Sequence, residues 1–96
     1  MRPAQVVRVR IEGRVQGVWF RAWTVETARQ LGLGGWVRNR RDGSVEALFA
    51  GQPEAVEQML RACHEGPPGA KVSKVERIDA AASELDGGIF SQRPTA

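Results

Sequence analysis

The chain has only one cysteine, Cys63, so it can form no intrachain disulfide, and a small secreted scaffold held by such bonds is excluded. It also has only one histidine, His64, with no cysteine or second histidine at ligand spacing, so no metal site is expected. No apolar run approaches the roughly 20 residues needed to cross a bilayer. No basic-then-apolar leader stands ahead of Val6, and a cytoplasmic protein that engages no membrane is the expectation. Internal repeats, low-complexity tracts and interdomain linkers are absent as well.

What remains is an ordinary globular composition, 42% hydrophobic and 26% charged. A length of 96 residues suffices for one hydrophobic core and not for two, so a single domain over residues 1–96 is expected. Nothing suggests an obligate dimer, and a monomer is the expectation. The formal net charge is +3, and the basic excess is mostly arginine. Arg14, Arg21, Arg38, Arg40 and Arg41 gather in or beside two short segments, a bias that suits a small anion as well as nucleic acid.

The first of these segments is Gly13-Arg14-Val15-Gln16-Gly17-Val18-Trp19-Phe20-Arg21. Ahead of it, residues 6–12 alternate Val7, Val9 and Ile11 against Arg8, Arg10 and Glu12, as a half-buried strand does. Behind it, Phe20, Trp23, Thr24, Thr27, Ala28 and Leu31 recur at helical spacing, with Gly32 suited to the left-handed position after the helix. Gly13 and Gly17 free the backbone for an anion-cradling turn that opens onto a helix N-terminus. Arg21 opposes the helix dipole there, an error of roughly 0.3–1 kcal/mol unless an anion sits between them. Local rules are broken at functional sites, so the stretch reads as a phosphate loop with Arg21 as its clamp. The plainer alternative is a turn whose arginine reaches water. No Gly-Lys-Ser/Thr closes the loop, so it is no nucleotide P-loop, and it lacks the glycine spacing of a dinucleotide fingerprint. Trp19 and Trp23 read as packing residues.

The second segment, Gly35-Trp36-Val37-Arg38-Asn39, reads as a strand, and Arg40-Arg41-Asp42-Gly43 as a hairpin turn. Ser44 to Ala50 returns, burying Val45, Ala47 and Phe49. Pro53 opens a second helix whose stripe, Val56, Met59, Leu60 and Cys63, makes the cysteine a core residue rather than a nucleophile. His64 falls off that stripe, as a solvated helix-end residue, and Gly66-Pro67-Pro68-Gly69 stops the helix. An irregular, bulged strand follows at 72–78, and Ile89-Phe90 is a candidate short fifth strand.

The order β-α-β-β-α-β fits an α+β, ferredoxin-like split βαβ sandwich, an antiparallel sheet with both helices on one face. A helix crossover makes the first two strands parallel. Their C-terminal ends then meet one sheet edge, which brings the glycine loop, Arg21, Asn39 and the arginine-rich hairpin together.

The two segments resemble the two signatures of the acylphosphatases: the first at every position, the second through Gly35–Asn39 and then Gly43, Val45 and Gly51 at matching spacing. The resemblance implies the ferredoxin-like fold and cofactor-free hydrolysis of the carboxyl–phosphate bond of acyl phosphates. It puts the phosphate-binding arginine on Arg21 and the water-orienting asparagine on Asn39. Val15, Gln16, Gly17, Val18, Trp19 and Phe20 then form the phosphate loop, and inorganic phosphate, as product, competes for it. Without the resemblance Asn39 is a turn-initiating residue before Arg40. Arg14, Arg38, Arg40 and Arg41 add at most a steering field.

Two other classes remain open on this scaffold. One is a non-catalytic anion-binding module, since fold does not determine function. The other is a single-strand RNA binder, which needs aromatics on the open sheet face. That face offers Arg8, Arg10 and Glu12 on the first strand and Ser44, Glu46 and Leu48 on the third, so no nucleic-acid partner is expected.

Overall fold

The computed structural model describes residues 4–85 and 88–96, so the start of the stretch in which no leader is expected lies outside them. Strand β1 (Gln5–Arg14) runs through the glycine loop into helix α1 (Phe20–Gln30), then into a hairpin of β2 (Gly34–Asn39) and β3 (Val45–Gly51). Helix α2 (Pro53–Cys63), strand β4 (Lys71–Asp79), a 3-10 turn at Ala82–Glu84 and strand β5 (Ser91–Gln92) follow. One core forms between the sheet and the helices. Val7, Val9, Ile11, Val37, Val45, Ala47 and Phe49 meet Phe20 and Ala28 of α1 and Val56, Met59, Leu60 and Cys63 of α2. This is the ferredoxin-like sandwich, with both helices on one face.

Local chemistry sets the element ends. Gly32 adopts φ 72° after α1, and the N–H of Leu33 returns to the Ala28 carbonyl at 2.9 Å, closing a Schellman motif over a buried leucine. Pro53 fills the first position of α2, where a missing N–H costs nothing. In β4 the bulge falls at Ser73, because Glu12 faces Lys74 while Gly13 faces Val72.

The strand order is β4-β1-β3-β2-β5. β1 and β2 each pair antiparallel with β3, so they are parallel to each other. β5 pairs parallel to β2, which makes the sheet mixed rather than wholly antiparallel. The fifth strand also lies later than Ile89-Phe90. Ile89 only bridges to Gly34 and stays exposed, while Phe90 enters the core and stacks on Phe49 with ring centroids 5.5 Å apart. Beyond β5 the chain continues along β2. Arg93 N–H donates to Val37 O at 2.8 Å, and Ala96 N–H to Asn39 O at 3.0 Å.

The face away from the helices is polar and closely paired. Glu46, 7% exposed, takes Arg38 at 2.7 Å, Arg40 at 3.3 Å and Arg8 at 3.8 Å. A buried carboxylate is tolerable only with such compensation. Arg38 and Arg40 are therefore held on this face by Glu46. Trp36 lies there too, 3% exposed, with the Arg38 and Arg93 guanidinium carbons 4.8 and 4.7 Å from its ring centroid.

Candidate active site

The glycine loop lies where the C-terminal ends of β1 and β2 meet. Gly13 leaves β1 at φ 122°, packed so closely on the Lys71 carbonyl that a Cβ would collide with it. Gly17 has φ 74° with open space around it, so conformation and not crowding selects glycine there. Trp19, the N-cap of α1, has φ 65°, a left-handed conformation costing a non-glycine residue on the order of 1–3 kcal/mol. It offers no side-chain cap, and the first turn of α1 holds no acidic residue. Among the described residues, no backbone N–H of residues 16–21 has a protein acceptor, so these donors face the cleft or solvent unsatisfied.

Arg21 is half-buried in that turn, and its guanidinium makes no hydrogen bond or ion pair with any described residue. Around it opens a cleft of about 350 Å³, lined by Val15, Gln16, Gly17, Trp19, Phe20, Arg21, Ala22, Asn39 and Gln92. Arg21, Asn39 and the loop, expected at one sheet edge, share this cleft. Val18 is the loop member outside its lining; it is half-buried and packs against the core. Arg14 and Arg41 are exposed and do not line it.

Asn39 is the last residue of β2, anchored by the pairing with Val45 and by its carbonyl bond to Ala96. Its side chain makes no bond to the turn it precedes. Asp42 does that work: its Oδ1 accepts from Ser44 Oγ at 2.6 Å and from Ser44 N–H at 2.9 Å. These two bonds, the side-chain one first, hold the exposed Asp42 carboxyl below its usual 3.8, with Arg10 and Arg40 adding to the effect.

Two roles were not legible in the sequence. The Gln16 side chain donates to both Arg40 O and Ser44 O at 2.8 Å. It ties the loop to the hairpin that carries Asn39, leaving Gln16 only its N–H for an anion. The second is Gln92, which β5 delivers to the cleft wall.

Two packing assignments separate here. Trp23 packs edge-on against Phe20, centroids 5.3 Å apart, as expected of a core residue. Trp19 is 82% exposed, because it precedes the helix and its side chain never joins the helical stripe.

The remaining candidate groups are outside the site. His64 caps the C-terminus of α2 and is exposed. Cys63 is buried on the helix stripe, and burial pushes its thiol up to about 12. Its thiolate is therefore scarce at pH 8, and we expect Ellman's reagent to label the native protein no faster than it unfolds, with full labelling in urea. Rapid native labelling would contradict the packing described.

The acylphosphatase family model matches residues 7–88. An acylphosphatase of Rhodospirillum rubrum is 60% identical over 87 residues, covering 91% of this chain and 93% of its own. The solved acylphosphatase of Bacillus subtilis superposes with a TM-score of 0.83 at 36% identity, covering 92% of this chain and 97% of its own. That of Coxiella burnetii gives 0.82 at 35%, covering 94% and 93%. A two-layer sandwich with a glycine loop and Arg21 at one sheet edge defines the class. The chain belongs to the acylphosphatase family, a family of hydrolases.

Proposed function

We propose that the chain hydrolyses the carboxyl–phosphate bond of acyl phosphates as one catalytic domain, holding the phosphate with the 15–20 loop and Arg21 and orienting water with Asn39. The observation that carries this is the Arg21 guanidinium, without a partner among the described residues, in the cleft that Asn39 also lines, next to loop N–H groups that have no acceptor among the described residues.

Phosphoryl transfer develops charge on three equatorial oxygens, so catalysis is mainly a matter of fixed donors around them. The N–H groups supply several donors, and the Arg21 fork supplies two in a plane. Water oxygen bonds to phosphorus as the acyl oxygen departs with the bonding electron pair. The leaving carboxylate is stable as an anion and needs no proton. The water forms little bond at the transition state, so it requires position rather than a strong base. The Asn39 amide oxygen can accept a hydrogen bond from it, and its proton passes to a phosphate oxygen, so that the product leaves as dihydrogen phosphate.

Turnover of benzoyl phosphate to benzoate and phosphate is the direct test, with phosphate expected to raise KM and leave kcat unchanged. A purified, folded chain that hydrolysed no acyl phosphate would overturn the proposal. Since the charge is met by arginine and amides, we also expect prolonged EDTA dialysis to leave the rate unchanged. A large loss restored by a divalent cation would mean that the charge stabilisation lies elsewhere. Base stacking lacks a platform on strands β1–β4, where Trp36 is buried between two guanidiniums.

A further inference from the structure

Trp19 carries two costs that the fold does not require. Its indole is 82% exposed, one of only two large apolar side chains so exposed among the described residues. Its backbone has φ 65°, the only positive value among the described non-glycine residues. A glycine would relieve both, and an asparagine would tolerate the backbone while wetting the surface. The indole packs against no ring among the described residues, and Trp19 lines the cleft together with Arg21, Ala22 and Gln92. The loop donors and Arg21 take up the phosphate end of any substrate, so the acyl end must leave the cleft along its rim. Of the apolar residues that line the cleft, Val15 and Phe20 are buried and Ala22 adds only a methyl, so Trp19 is the one large exposed apolar side chain there.

We propose that Trp19 is the acyl-side platform of the site, selecting acyl phosphates with aromatic or extended apolar acyl groups over those with small ones. The inference rests on the hydrolytic function proposed above and names the substrate class for it. An aromatic acyl group stacked on the indole removes apolar surface of both partners from water, whereas an acetyl group reaches too little of it to matter. Because the platform holds the acyl group before and during transfer alike, it acts on KM and not on kcat.

The test compares benzoyl phosphate with acetyl phosphate in wild type, Trp19→Asn and Trp19→Phe. Asparagine keeps the left-handed backbone, and no buried contact is lost, so the variant folds with its melting temperature unchanged or raised. Trp19→Asn should lower the benzoyl-to-acetyl ratio of kcat/KM about three- to tenfold, with the change carried by KM for benzoyl phosphate. Trp19→Phe should restore most of the preference. If wild type hydrolysed both substrates and Trp19→Asn kept the wild-type ratio of kcat/KM between them, the platform would be refuted and hydrolysis would stand. A loss of equal size on both substrates would also refute it, assigning Trp19 to loop geometry. If wild type hydrolysed neither substrate, hydrolysis and platform would fall together.

Discussion

Arg21→Ala is expected to lower kcat/KM for an acyl phosphate by about 10³-fold or more, the scale on which a single preorganised charged group acts at a transferring phosphoryl. Because the arginine grips phosphate oxygens before and during transfer, KM rises and kcat falls together. Lysine should fail as a substitute, since a point charge cannot reproduce a planar fork. The guanidinium has no structural partner among the described residues, and it opposes the dipole of α1 from the first turn. Its removal should therefore stabilise the apo fold slightly, by roughly 0.3–1 kcal/mol, while activity is lost. Added phosphate should raise the melting temperature of wild type through binding to the native state alone, and this shift should vanish in the variant. Kinetics with thermal melts in and out of phosphate decide the matter. An Arg21→Ala protein that kept its phosphate-induced shift would move the anion site elsewhere.

Asn39→Ala should separate chemistry from binding. The asparagine is assigned to the water, which phosphate binding does not need, so phosphate affinity should survive while kcat falls by about 10²–10³-fold. The side chain caps nothing: Asp42 makes the hydrogen bonds that shape the turn, and the Asn39 backbone stays paired with Val45 and Ala96 in the variant. Loss of rate would therefore not reflect loss of the hairpin, and circular dichroism should be unchanged. Asn39→Asp is the stricter probe. It keeps an acceptor for water and adds a negative charge beside an anionic substrate, so activity should be poor near neutrality and partly recover as the carboxylate is protonated at lower pH. A folded Asn39→Ala enzyme with wild-type kcat would return Asn39 to a purely structural role.

Residues near in sequence settled much of this protein. The alternation of β1, the helical stripes of α1 and α2, Pro53 and Gly32 at helix ends, and Asp42-Gly43 in the hairpin are short-range matters, governed by backbone sterics and side-chain period. The helix crossover then made β1 and β2 parallel, and so brought the loop, Arg21 and Asn39 to one edge. Tertiary structure decided what depends on distant partners. The pairing of β5 with β2, and its delivery of Gln92 to the cleft, has no local signature, because a two-residue parallel strand carries no alternation and is held by another strand's carbonyls. Glu46, a charge on a nominally open face, is buried because three arginines from two other strands and the hairpin converge on it. Gln16 became a tie because two carbonyls of the hairpin stand 2.8 Å from its amide. Trp19 stands in water because it takes the left-handed N-cap position ahead of α1, and its side chain does not join the helical stripe.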